Sequence, residues 1–472
     1  MLALLAGYWL LPISGQIIVL PGDEGTLPGP RFQLDPLIPR PGELVKVSVT
    51  DTQPWTFVTL TVAGEAASSA GWSQLPGGVW RWDWTFTAPA QPGYALVFYH
   101  DCHTGCIERG RIAVGRQPER VAPPTTIPTK LCMVFPNPER DWRGRSGWAV
   151  EIAYASQVED MYWGVDDLAT RVAAQHAQGL RVLIRVEYAQ QQSLPPEGDY
   201  LALAEYLLFV ERLARDARLR DVYGLVIGSD FNTAEANSLA GSRPATPEWY
   251  ARLFNGYDED AARDDNVVQR VRAVNPNLRV IVGPVRPWNT DGNGAERYTI
   301  DAPWLNYMHT LVARLDAGAQ AKAAAGIPLC APDGFDIQAP GRPDAPEMQG
   351  RPRAEEPRYA LPRAAWGGAQ AGFRIYREWL DIINSAPSTR GLPVYIISTN
   401  TYDREADIPP AQNYPRGWLT IALAEVDAEP QIQALCWFMD DFPHSEQWDW
   451  FSLTRKPGRL VDAAEEFNAL LR

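Results

Sequence analysis

Val222-Tyr-Gly-Leu-Val-Ile-Gly-Ser-Asp-Phe-Asn232 passes from apolar to polar residues within one short stretch, and Val394-Tyr-Ile-Ile-Ser-Thr-Asn400 repeats the profile. Both read as buried strands whose C-terminal ends carry polar groups. From Lys130 onward, apolar runs of this kind alternate with helical periods. The expected strands are Leu131–Phe135, one between Ala149 and Trp163, Arg181–Tyr188, Val222–Ile227, Arg279–Val285, Gly334–Ile337, Pro393–Ile397 and Ile432–Met439. The expected helices are Val165–Gln178, Tyr200–Arg218, Pro247–Val274, Trp304–Ala325, Gln370–Ser385, Gly417–Val426 and Val461–Leu471. Gly179 follows the first as a C-terminal stop, and Thr246-Pro247-Glu248 opens the third with a capping hydroxyl and a Pro at the first helical position. About seven or eight βα units with no early Gly-rich phosphate loop predict an α/β fold, a closed (β/α)8 TIM barrel and not a dinucleotide-binding sheet.

The residues before this barrel read differently. From about 32 to 115, Leu44–Thr50, Phe57–Val62, Val79–Thr87, Tyr94–His100 and Ile107–Val114 are short strands separated by Gly, Pro, Ser and Asp clusters, the pattern of a small all-β immunoglobulin-like sandwich. Trp80, Trp82 and Trp84 alternate and so share a face, either an exposed sugar platform or a core. Residues 116–129 hold Pro118, Pro123, Pro124 and Pro128 and form a stiff linker. The organisation expected is therefore 1–31 apolar segment and lead-in, 32–115 sandwich, 116–129 linker and 130–472 barrel.

Composition narrows the function. With 43 basic and 57 acidic residues the net charge is −14, spread without blocks, which argues against a nucleic-acid partner that needs a basic stripe. Met1 to Leu20 is apolar but interrupted by Ser14, Gly15 and Gln16, too short for a membrane span and lacking a basic residue in front. It reads as the hydrophobic part of a secretory signal, so the expected location is secreted or cell surface. Asp101-Cys-His-Thr-Gly-Cys106 fits a short-loop disulfide between Cys102 and Cys106. A metal site with His100 and His103 is the alternative, but nothing else completes a ligand set, so neither metal nor cofactor is expected. Cys132 and Cys436 read as buried free thiols.

In a TIM barrel the functional groups stand at the C-terminal strand ends and in the loops that follow. This selects Asn137, Glu139 and Asp141; Arg185, Glu187 and Tyr188; Ser229, Asp230, Asn232, Glu235 and Asn237; Arg286 and Trp288; Asp336 and Gln338; Ser398, Asn400 and Asp403; and Trp437, Asp440, Asp441 and His444. Acids, amides and indoles with few lysines suit a neutral polyhydroxyl ligand, its hydroxyls bonded by carboxylates and amides and its rings stacked on Trp.

At these strand ends the chain resembles the clan A glycoside hydrolases. Val222–Asn232 is similar to their fourth strand, which typically ends in Gly-Asn-Glu, and Thr246-Pro-Glu-Trp-Tyr-Ala-Arg-Leu-Phe254 to the helix after it. Asn275–Pro284 resembles the approach to strand five, Asp333-Gly-Phe-Asp-Ile-Gln338 strand six, and Ala434-Leu-Cys-Trp-Phe438 strand eight. The resemblance implies a retaining mechanism in which one carboxyl protonates the leaving oxygen while a second, about 5–5.5 Å away, attacks the anomeric carbon. It puts Asp230 at the acid/base position, Ser398 at the nucleophile position, Ser229 where an Asn usually bonds the 2-hydroxyl, Gln338 where a His often stands, and Trp437 under the sugar. Asp230 is one methylene short, and misplacement on the order of 1 Å can cost about a hundredfold. Ser398 has no carboxylate and no evident base to activate it.

Three functions follow from these departures. The first is a catalytically degenerate barrel, a pseudoenzyme, that binds carbohydrate or acts as a structural or adhesive module, with Glu187, Ser229, Asn232, Trp288, Gln338, Asn400, Trp437 and Asp440 lining its groove. The second is an active O-glycosyl hydrolase with Asp230 as acid and a displaced carboxylate such as Glu187, Glu235, Asp403 or Asp440. The third is a protein-interaction subunit whose groove is plugged by the Pro/Arg-rich segment Ala339–Arg363.

Overall fold

The computed structural model describes residues 31–35, 42–88, 94–100, 107–114 and 127–472, apart from 52–53, 56–57, 63–64, 159, 161–162, 260–262, 289–302, 326–329, 347–361, 364–368, 371, 404–405, 444–445 and 447. The expected signal segment, the Cys102–Cys106 pair, His103, His444 and most of Ala339–Arg363 lie outside the described residues. The chain divides into two compact units, 1–120 and 121–472.

In the first unit the strands are β1 (Arg31–Asp35), β2 (Leu44–Asp51), β3 (Thr59–Val62), β4 (Glu65–Ala66), β5 (Ser68–Gln74), β6 (Trp80–Thr87), β7 (Tyr94–His100) and β8 (Ile107–Val114). They form two four-stranded antiparallel sheets, ordered β1-β2-β6-β5 and β4-β3-β7-β8. Trp82, Trp84 and Phe86 alternate inward and pack with Val45, Val47, Val49, Leu60 and Val62 from both sheets. Of the two readings of the tryptophans, Trp82 and Trp84 are core, and Trp80 is half-buried against it.

The second unit is a closed barrel of eight parallel strands. They are β9 (Ile127–Val134), β10 (Arg145–Tyr154), β11 (Arg181–Glu187), β12 (Gly224–Ile227), β13 (Arg279–Val282), β14 (Gly334–Gln338), β17 (Val394–Thr399) and β18 (Ile432–Trp437), with the small antiparallel pair β15 (Pro362–Arg363) and β16 (Ala369–Gln370) inserted after β14. The helices are α1 (Val165–Ala177), α2 (Tyr200–Arg215), α3 (Pro247–Asn255), α4 (Val267–Val274), α5 (Pro303–Ala324), α6 (Tyr376–Ile383), α7 (Pro410–Asn413), α8 (Trp418–Asp427) and α9 (Leu460–Leu470). α3 starts where expected: Thr246 Oγ1 accepts from the Trp249 N–H at 3.2 Å ahead of Pro247. The single helix expected over Pro247–Val274 is two, because Gly256 turns left-handed at φ 76° and ends α3. The first barrel strand also takes in residues 127–129, which read as linker; Pro128 sits at the strand's start opposite Ser146, where a proline is tolerated.

Side chains alternate across the barrel wall. Cys132, Val134, Trp148, Val150, Ile152, Leu183, Val226, Ile281, Tyr395, Ile397, Ala434 and Cys436 point inward. Leu131, Ile184, Leu225, Val282, Phe335, Val394 and Leu435 face the helices. Trp148, Tyr223 and Tyr395 meet edge to face at 4.7–6.0 Å and fill the N-terminal half of the lumen, with Arg181 and Arg279 over the Trp148 and Tyr223 rings at 4.2 and 4.0 Å. The N-terminal half of the lumen is therefore closed to a ligand.

The alternation corrects one expectation about cysteines. Cys132 and Cys436 are not free thiols but a disulfide. β18 pairs with β9 to close the barrel, and the register sets Cys436 directly opposite Cys132, both pointing inward. Cys330 is the free buried thiol among the described residues.

Candidate functional site

The end of β12 is shaped by two glycines. Gly228 turns left-handed at φ 71°, where a Cβ would come within 2.7 Å of Leu194, and a Cβ on Gly283 would lie 2.2 Å from the Ile227 and Gly228 carbonyl oxygens. The chain then places Asp230, itself at φ 54°, over the mouth; its N–H donates to the Pro284 carbonyl at 3.0 Å. Asp and Asn are the non-glycine residues that best tolerate this conformation.

Both Asp230 carboxylate oxygens are engaged. Oδ2 accepts from Arg286 Nε at 3.0 Å and from Arg286 Nη2, and Oδ1 accepts from the Gln338 side-chain amide. Arg286 also donates through Nη1 to Glu235 at 2.7 Å. The backbone of Arg286 is clamped in turn: Asn232 Oδ1 accepts its N–H at 2.9 Å, and Asn232 Nδ2 donates to its carbonyl at 3.0 Å. Asn232 thus spends its amide on holding the arginine. Burial alone would lower the Arg286 pKa, but Asp230 and Glu235 outweigh it and hold the guanidinium more firmly charged than usual.

Beside this clasp stands a second group of charges from β11 and β14. Arg185 Nε lies 2.8 Å from Glu187 Oε1. Burial, and then the charge of Asp230, push the Glu187 carboxyl above the ordinary range, while Arg185 pulls the other way. Burial raises the Asp336 carboxyl well above its usual value against Arg185 and the Ile337 and Ile397 N–H groups, with Asp230 adding to the rise. Tyr154, paired with Glu187 across β10 and β11, has its phenol raised by burial and by Glu187. Tyr154 carries no strand-end signal in the sequence, because the strand it ends opens on Arg145-Ser146-Gly147 with no apolar run to mark its start.

Ser398 stands opposite Gln338 across the β14–β17 ladder, just past an irregularity in the register, and is half-buried. The positions of Asp230, Gln338 and Ser398 therefore border one mouth together with Arg286, Glu187, Arg185 and Asp336.

Other expected lining residues are occupied elsewhere. Trp437 does not floor the mouth. Ala434 and Cys436 point inward, so Trp437 points outward, where its ring meets Tyr414 and Trp418 at 5.8 and 6.4 Å and its N–H donates to the Phe451 carbonyl at 2.8 Å. The aromatic on the inner side of this strand end is Phe438. Asp440 is buried between the ends of β9 and β18, bound by Arg140 at 3.2 Å, the Thr454 N–H at 2.9 Å and the Asn137 N–H at 3.2 Å. Asn400 accepts from the Tyr402 N–H at 2.8 Å and donates to the Phe438 carbonyl, holding two loops together. Ser229 is buried, its N–H on Ser193 Oγ at 2.8 Å. Trp288 packs half-buried against the outer cluster.

No protein-family model matches the chain, and no curated protein matches it. Solved structures do. A family 39 glycoside hydrolase from the gut symbiont Bacteroides cellulosilyticus is similar over 84% of this chain and 73% of its own, at 14% identity and a TM-score of 0.39. A family 5 xyloglucanase from Paenibacillus pabuli is similar over 76% of this chain and 94% of its own, at 14% identity and a TM-score of 0.38. The barrel itself is established by its own closed strand pairing.

Proposed function

We propose that this chain is a glycoside hydrolase-like barrel, secreted or displayed at a cell surface, whose standard retaining chemistry is impaired and whose C-terminal mouth binds carbohydrate. The observation that carries this reading is the clasp on Asp230. A general acid must aim an O–H at the leaving oxygen. Here Arg286 and Gln338 turn both carboxylate oxygens toward N–H donors, and across the mouth Ser398 offers no carboxylate to attack an anomeric carbon. What the mouth does offer is a set of fixed amides, guanidinium groups and carboxylates suited to hydroxyls. The Cys132–Cys436 disulfide supports an oxidising compartment. The two antiparallel sheets of the first unit support an immunoglobulin-like reading.

A second reading, hydrolysis by a displaced pair, is favoured by Glu187. Its raised carboxyl, close enough to Asp230 to feel its charge, has the property of a general acid. One set of variants separates the two. Placing glutamates at both positions, Asp230→Glu and Ser398→Glu together, should bring aryl-glycoside hydrolysis above the wild-type level. Wild-type hydrolysis abolished by Glu187→Gln would establish the displaced pair instead.

A further inference from the structure

The edge strand β5 is exposed along its whole length, and Trp72 within it is 65% exposed. Trp72 pairs directly with Trp82 across the β5–β6 ladder, so it lies on the same face of the sheet as the core tryptophans. The core does not reach it. Trp80, diagonal to it, lies with its ring centre 5.3 Å away and its plane tilted by 39°. Gln74 pairs with Trp80 and is exposed beside it. A tryptophan this open costs hydration free energy, on the order of 25 cal/mol per Å² of apolar surface left in water. An open indole backed by a half-buried one, with a polar amide beside them, is the surface expected where a ligand with one apolar face docks.

The chemistry of the strand narrows the ligand. From Ser68 to Gln74 it carries no charged residue. Asp51, the carboxylate in the same cross-strand row as Trp80 and Gln74, is buried and accepts from the Trp55 indole N–H at 2.8 Å. The Ser48–Arg81–Asp83 network belongs to the opposite face. Strand addition by another chain is disfavoured: the β5 register breaks between Ser69 and Gly71, Gly71 sits at φ 116°, and its N–H is taken by Ser69 Oγ at 3.3 Å. We propose that Trp72 and Trp80, with Gln74, form a carbohydrate-binding platform on the N-terminal unit for a neutral pyranoside chain. The C–H faces of the sugar stack on the indoles, and its hydroxyls bond to the Gln74 amide.

This site does not depend on the barrel reading, and the test keeps the two apart. The full-length protein is run through native gels containing hydroxyethylcellulose, arabinoxylan or galactomannan. The wild type is expected to be retarded by at least one. Trp72→Ala should weaken its apparent affinity about tenfold or more, and Trp72→Phe should restore part of it. Trp72 is exposed, so an unchanged circular dichroism spectrum will show that Trp72→Ala folds. Because Gln338 borders the mouth that is itself read as binding carbohydrate, the comparison is repeated in Gln338→Ala, where Trp72→Ala should still weaken retardation about tenfold or more. The proposal is overturned if no polymer retards the wild type, if Trp72→Ala is retarded equally, or if retardation follows Gln338→Ala instead. It is also overturned if Trp72→Ala converts a dimer to a monomer in light scattering without affecting migration in the polysaccharide gels, which would make the face a contact between copies.

Discussion

Replacing Arg286 by Met keeps the aliphatic stem and removes the guanidinium that clasps Asp230. The backbone at 286 should stay in place, because Asn232 bonds both its N–H and its carbonyl. The Nη1 contact to Glu235 contributes little, since Glu235 is 67% exposed and such pairs are worth about 0–1 kcal/mol. The two bonds to Asp230 are different, as the side chains are only 19% and 16% exposed. Stripping one partner from a fully buried pair costs about 3–5 kcal/mol. The remaining Gln338 bond and the residual solvent access reduce this to about 2–3 kcal/mol. Urea unfolding of the barrel in wild type, Arg286→Met, Asp230→Asn and the double variant gives the coupling directly. A coupling of about 1.5–3 kcal/mol is expected. A value below about 0.5 kcal/mol would refute the reasoning, since Asp230 would then be a solvated carboxylate free to act.

The disulfide, the buried acid and the displaced tryptophan each yield a measurement. Proteolysis without reductant should release a Cys132 peptide covalently joined to a Cys436 peptide; with the residues 304 apart, replacing both by Ala should cost up to about 6 kcal/mol by the chain-entropy estimate. Asp336 has a folded pKa well above its unfolded one, so the stability linked to it is greatest at low pH and falls as pH rises through the raised value. Asp336→Asn should therefore match the wild-type Tm near pH 4 and exceed it near pH 8, as a pair of thermal melts would show. Trp437→Ala should lose about 3–5 kcal/mol in urea unfolding while leaving any glycan binding at the mouth unchanged, because its ring packs on Tyr414 and Trp418 outside the lumen.

The barrel was legible because strand and helix periods differ and each apolar run ended in polar residues. β10 was the blurred case: Arg145 and Ser146 begin it with no apolar signal. The break at Gly256 was legible only in hindsight, since a glycine within a helical period is often tolerated. Local pattern could not reveal the Cys132–Cys436 bond, which depends on the register that closes β18 onto β9 across the whole domain. Asp230, Gln338 and Ser398 stood out by their place at strand ends, and the fold brings these positions to one mouth. That Arg286 binds Asp230 was not visible, because it depends on how the loop after strand five folds back. Trp437 was misplaced by one residue of parity: inward Ala434 and Cys436 force it outward.

Whether the mouth still performs chemistry is most directly tested by steady-state hydrolysis of a panel of aryl glycosides by the wild type and Asp230→Ala. The clasped site, with Ser398 where a nucleophilic carboxylate would stand, is expected to give the same near-background rate in both. Strong wild-type turnover abolished by Asp230→Ala would contradict the account.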